Sequence, residues 1–335
     1  MGETMKGYKG FNKGLVCNKK QYAENTIFEE EKAIICRCGM HYCKEPFDVL
    51  DYYGFVDEEG SLNEFAEVEA LAEEKTDDNK KFCTTKLKVG AKFTFAGFVK
   101  ACVDFVIEKT KISTDGCTNN DNGQRNAQIG SSGDYAQIGS SGDSAKIGSS
   151  GDYAKIGSSG DYAKIGSSGD YAKIGSSGYS AKIGSSGDYA QIGSSGDSAK
   201  IGSSGDSAKI GSSGDYAQIG SSGDYAQIGS SGDYAQIGSS GDYAKIGSSG
   251  DYAQIGSSGY SAKINSTGED SVICCAGHNS IVKAKKGSWI TLSEWKIDNK
   301  KGRWVPVCVK TEFVDGTKIK ADTFYKLVDG KFEEV

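Results

Sequence analysis

The chain has 335 residues, with 39 Lys and Arg against 45 Asp and Glu and a net charge of −6. That balance argues against a general binder of nucleic acid or of anionic membranes, which needs a basic surface. With 47 Gly and only 2 Pro, the chain is neither collagen-like nor a proline-rich linker.

Residues 1–126 read as an α+β domain. The start, Met1 to Lys6, lacks the apolar core of a signal peptide, and no run reaches the ~18 apolar residues that span a bilayer. The expectation is a cytoplasmic protein with reduced cysteines. Pro46 favours a short helix over Phe47–Tyr53. Phe65–Leu71 and Cys83–Val89 alternate like strands. Phe95–Ile107 has the apolar period of a helix, expected to dock this domain on the first coil of the repeat region.

Residues 127–273 repeat Ala-x-Ile-Gly-Ser-Ser-Gly-Asp-Tyr, with x Lys or Gln, and Ile recurs every nine residues from Ile129 to Ile264. A fixed short period is the mark of a solenoid, and a Gly/Ser linker has no reason to hold Ala and Ile in phase. Within Asp134–Ile138, alternation sets Ala136 and Ile138 inward and Tyr135 and Gln137 outward. The same rule assigns Ala145, Ile147, Ile156 and Ile165 to the core. It assigns Tyr135, Tyr153, Tyr162, Tyr171, Tyr216, Tyr225 and Tyr234 to a surface ladder. Gly139–Gly142 is the expected turn, and Asp134 the expected cap of turn N–H groups. Two repeats per coil predict a flat β-solenoid of about eight coils, ~40 Å long at the strand spacing. The Asp is missing at Tyr179 and Tyr260.

Residues 274–335 read as β-rich. Trp289–Trp295 and Trp304–Val309 flank an Asn299–Gly302 turn, and Tyr325–Phe332 is a hairpin turning at Asp329-Gly330. A bare solenoid end exposes unpaired strand edges, so both flanking segments are expected to act as caps.

Lys6–Phe11, Cys36–Cys43 and Pro46–Tyr53 near the start, with Gly287–Trp289, Glu294-Trp295 and Asp322–Tyr325 near the end, resemble a family of phage and prophage proteins of unknown function. Those proteins have a similar N-terminal domain, Ala/Gly/Asp-rich tandem repeats and a related C-terminal portion. The resemblance implies a phage or prophage origin, hence the cytoplasm of a bacterial host, and no activity.

Cys36, Cys38, His41 and Cys43 are a zinc-type ligand set, with Cys17 a substitute, although Cys-x-Cys-x-x-His-x-Cys is tighter than paired zinc knuckles. Buried core cysteines are the commoner reading of the same residues. Cys274-Cys275-Ala276-Gly277-His278 is a weaker version, and a Cys/His nucleophile lacks a marked orienting residue. The repeat misses the Gly-x-Ser-x-Gly elbow, the P-loop and the calcium nonapeptide by spacing. The expectation is therefore a non-enzymatic binding or scaffold protein with a protein partner, and no cofactor unless zinc. Self-association is also open. The alternative is a phage inhibitor of a host defence system acting by occlusion or sequestration. Ice binding, from Ser and Tyr ladders, and an N-terminal enzyme are weaker readings.

Overall fold

The computed structural model describes residues 5–110, 118–121 and 124–335. In the N-terminal unit, seven strands form one antiparallel sheet, in the order Thr26–Glu29, Lys86–Lys92, Glu64–Ala70, Met5–Phe11, Met40–Cys43, Lys81–Thr84 and Glu74–Thr76. The strand predicted over Cys83–Val89 is two strands, because its halves pair with different neighbours, Met40–Cys43 and Glu64–Ala70. The predicted helix after Pro46 is the single turn Pro46–Val49. Alternation sends Ala66 and Val68 to a core with Phe11, Tyr42 and Leu87 on one face. Phe65 faces the other way, onto the helix Phe95–Lys109, where its ring stacks on Phe98 at 3.7 Å. Thr94 caps that helix, its hydroxyl accepting from the Gly97 N–H at 3.0 Å.

The repeats form a parallel β-solenoid of about nine turns over residues 128–292. Each coil contributes one four-residue strand to each of two sheets, and pairing is in register at eighteen residues: Ile138 with Ile156, Ile147 with Ile165. Two repeats per coil is thus the observed geometry. The core residues Ala136, Ile138, Ala145, Ile147, Ile156 and Ile165 are all buried.

The strand itself is shifted from the reading Asp134–Ile138. It runs Gln137–Ser140, so Gly139 belongs to the strand and the turn falls on Ser141–Ser144. Gln137 and Gly139 face outward; Ile138 and Ser140 face inward. The ladder tyrosines therefore sit in the turns, at φ of 56–59° in the left-handed region, and not on the strand faces. That conformation costs a non-glycine residue about 1–2 kcal/mol. Stacking of like rings, as for Tyr135 on Tyr153 and Tyr153 on Tyr171 at 5.0 Å, opposes that cost. The turn glycine is needed for another reason. A Cβ on Gly151 would lie 2.1 Å from the Gly133 carbonyl oxygen of the coil beneath. The expected Asp cap exists, but between coils: the Asp134 carboxylate accepts from the Asp152 N–H at 3.0 Å. Tyr179 and Tyr260 take the top of such a link, their N–H groups donating to Asp161 and Asp242. Their rings meet Tyr162 and Tyr243 edge-on.

At the C-terminal end, each sheet passes from parallel to antiparallel pairing. Trp289–Asp298 pairs in parallel with Val272–Cys275 and then turns back as Arg303–Phe313. Ile281–Lys283 continues the other sheet and is followed by the hairpin Phe324–Val328 and Lys331–Glu334. The left-handed φ of Asp329 (46°) and Gly330 (67°) makes the predicted tight turn.

The long helix docks over several coils, not on the first coil alone. A Cβ at Gly157 would meet Ile107 and Thr110, at Gly175 Val103, at Gly211 Phe55, and at Gly229 Phe95 and Leu62. One sheet, whose strands begin at Gln137, Lys155, Lys173, Gln191, Lys209, Gln227, Lys245 and Lys263, is thus covered by the N-terminal unit. The helix runs along the solenoid axis because its turn, ~5.4 Å, nearly matches the ~4.8 Å strand spacing. Ile107 and Val103, one turn apart, rest on the successive glycines Gly157 and Gly175, while Phe47 and Phe55 from outside the helix share the next two, Gly193 and Gly211.

Candidate interaction surface

The covered sheet shows how this surface engages a neighbour. Lys155 Nζ lies 2.7 Å from Glu45, Lys173 Nζ 2.6 Å from Asp48, and Lys245 Nζ 2.6 Å from Glu58. Gln191 donates to Asp51 at 2.7 Å, and Lys209 to the Leu50 carbonyl at 2.6 Å. Burial opposes ionisation of Glu45, but Lys173 and Lys155 outweigh it and hold the carboxyl below its usual range. Burial likewise opposes the Lys173 charge, yet Asp48 and Glu45 prevail and raise its pKa. Asp48 is enclosed more deeply, and there burial wins over Lys173, leaving its carboxyl raised. The contact combines apolar groups on the glycine row with carboxylates on the Lys/Gln row.

The second sheet presents the same chemistry uncovered. Gly148, Gly166, Gly184, Gly202, Gly220, Gly238 and Gly256 would each meet nothing within 4 Å on gaining a Cβ. Beside them, the registers align one outward row: Lys146, Lys164, Lys182 and Lys200, then Gln218, Gln236 and Gln254. The row continues into Val272, Trp289 and Phe313. The four lysines are exposed and make no ion pair among the described residues. Val272, Trp289 and Phe313 are 53, 49 and 40 % exposed, an unusual outlay of apolar surface. The face is therefore graded from cationic through amide to aromatic.

Neither the lysine run nor the carboxylates opposite its counterpart emerge from the nine-residue period. The signal is present at a period of eighteen. Taking every second repeat separates Lys146, Lys164, Lys182, Lys200 from Gln218, Gln236, Gln254, a segregation hidden when both sheets are read together.

The predicted ladder tyrosines are all exposed, but along the two edges of the solenoid. Tyr135, Tyr153, Tyr171 and Tyr189 stack along one edge, and Tyr216, Tyr234 and Tyr252 along the other.

Cys36, Cys38, His41 and Cys43 line one cleft of the N-terminal unit together with Cys17, but they differ in exposure. Cys36 is exposed at a left-handed φ of 58°, Cys38 is half-buried, and Cys43 is buried in the core with Phe47 and Val49. His41 Nε2 accepts the Cys36 backbone N–H at 3.1 Å. Cys36, Cys38, His41 and Cys43 are the set expected to hold zinc; among the described residues, no group of three or more His, Cys, Asp or Glu side chains is arranged to hold a metal ion. Burial, reinforced by Asp48, pushes the Cys43 thiol well up, opposite to what a nucleophile needs. Cys274 is exposed on the open sheet while Cys275 is buried, its thiol pushed up to about 12 by burial. His278 stacks on Trp304 at 3.9 Å.

A cleft in the N-terminal unit holds one group that no motif marked. Lys9, 4 % exposed, donates to the His41 carbonyl at 2.8 Å and to Cys17 Sγ at 3.4 Å. The Tyr53 hydroxyl also donates to Cys17 Sγ, at 3.1 Å. Lys9 is thereby tied into the fold through its neighbours.

A family model described as a domain of unknown function (DUF7666) matches residues 5–101, the N-terminal unit. No curated protein and no solved structure matches the chain. No helix among the described residues is long and apolar enough to cross a membrane.

Proposed function

We propose that this protein is a non-enzymatic scaffold that binds a protein partner on the open sheet of its solenoid. The observation that carries the reading is the inequality of two sheets built from one repeat. One sheet holds the N-terminal unit through its glycine and Lys/Gln rows. The other leaves the same rows to solvent, with four lysines that have no ion pair among the described residues. The solenoid supplies rigidity, since each coil is hydrogen-bonded to the next along its whole course. The resemblance of the chain ends to phage and prophage proteins supports a phage product acting in a bacterial cytoplasm. A host defence protein is then one class of partner, and inhibition would follow from occlusion.

Affinity capture from lysate tests the surface, with three baits in parallel: the wild type, Gly184→Val plus Gly202→Val, and a quadruple alanine variant of Cys36, Cys38, His41 and Cys43. Captured proteins that disappear with the glycine variant alone support the reading. Capture that survives it, or that depends on the cysteine set, overturns it.

A further inference from the structure

We infer that the open sheet receives an amphipathic α-helix of another protein, laid along the solenoid axis with acidic residues over Lys146–Lys200 and apolar residues over Val272, Trp289 and Phe313. The inference rests on the scaffold reading and specifies its partner.

The geometry argues for a helix. On the opposite sheet this chain already solves the same packing problem, seating Ile107, Val103 and Phe95 over Gly157, Gly175 and Gly229. The match between helix pitch and coil spacing belongs to the repeat, so it holds equally on the open side. From Lys146 to Trp289 is eight coil steps, ~38 Å at strand spacing, which a helix of about 25 residues spans.

The charge argues for carboxylates. On the covered sheet, Lys155, Lys173 and Lys245 are answered by Glu45, Asp48 and Glu58. The open lysines form a tighter set, four in consecutive coils, and have no such answer among the described residues. A second copy of this chain fits poorly. Two open sheets facing each other about a two-fold axis across the coils would set the four lysines against Gln236, Gln254, Val272 and Trp289, and about an axis along the coils would set them against each other, so neither arrangement supplies counter-charge. A single nucleic-acid strand also fits poorly. It needs cations and stacking rings interleaved along its path, whereas here they occupy opposite ends.

The probe is a fluorescent synthetic helix of about 25 residues with Glu at one-turn spacing over its first three turns and Leu and Ala over the rest; its twin carries Lys in place of Glu. Anisotropy titrations use the full-length protein, Lys164→Glu plus Lys182→Glu, and Gly202→Val. These positions are exposed and open, and circular dichroism confirms that the variants fold. The expected result is binding of the acidic helix alone, weakened by added salt, and weakened about tenfold or more by either variant. The inference is overturned if the acidic helix fails to bind the wild type, or binds the variants equally well. It is also overturned if an oligonucleotide displaces the helix, or if sedimentation reveals a dimer that Gly202→Val dissolves. Failure of the peptide while lysate capture still depends on the open glycines removes the helix and leaves the scaffold; failure of both removes both.

Discussion

Lys173 Nζ lies 2.6 Å from Asp48 Oδ1, joining a repeat in the covered sheet to a residue 125 positions earlier. Both side chains are largely enclosed, at 13 and 5 % exposure. Removing Asp48 leaves the enclosed Lys173 with the longer Glu45 contact alone, at 3.4 Å. Asp48→Ala is expected to destabilise the protein by about 3 kcal/mol, and Asp48→Leu combined with Lys173→Met to recover most of that loss. Chemical denaturation of the single and double variants measures both, and equal losses would refute the pairing argument.

Gly202 and Gly211 occupy the same place in successive repeats, yet their surroundings differ. A Cβ on Gly202 meets nothing within 4 Å, whereas one on Gly211 comes within 2.7 Å of the Phe55 ring. Gly202→Val should leave thermal stability unchanged or slightly raised, because a β-branched residue suits a strand. Gly211→Val should cost about 1–3 kcal/mol by overpacking and loosen the N-terminal unit. Thermal melts with limited proteolysis distinguish the two.

Successive repeats alternate between sheets, so parity matters more than repeat number. Deleting 200–208 sends every later repeat, with Lys209 and Lys245, to the opposite sheet and away from Leu50 and Glu58. Deleting 200–217 removes a full coil and keeps parity. The longer deletion is therefore expected to fold and melt cooperatively, and the shorter one to lose protease resistance and melt lower. Identical behaviour of the two would show that the covered interface does not select sheets.

Burial, the leading influence on Lys9, holds its ammonium below the ordinary lysine pKa. Between that lowered value and the unfolded value of about 10.4, the unfolded chain binds more protons than the folded one. The Lys9 contribution to stability therefore grows as pH rises across this window and is lost as pH falls through the folded value. Lys9→Met removes the dependence. The wild type should gain on the variant as pH rises toward the unfolded value in urea titrations, and parallel curves would contradict the shift.

Much of the architecture is readable from short-range pattern. The nine-residue spacing of Ile, the small Ala two places before it and the Asp-Gly turn at Asp329 act through local geometry, and the core, the two-repeat coil and the closing hairpin result from them. The strand offset is not readable this way, because Gly139 looks like a turn residue. In-register pairing with Gly157 keeps it in the sheet, and the left-handed turn falls to Tyr135 instead. The Cys36–Cys43 set is similarly opaque, since strand geometry at Met40–Cys43 buries Cys43 while Cys36 stays exposed.

The sequence alone determined the repeat, its coil and its interior, because these depend on contacts eighteen residues apart that recur identically. Which sheet lies open could only be decided in three dimensions. The repeats on the two sides are nearly the same, and what separates them is the docking of Glu45, Asp48, Phe55 and Val103 onto strands between about 70 and 160 residues away in the chain.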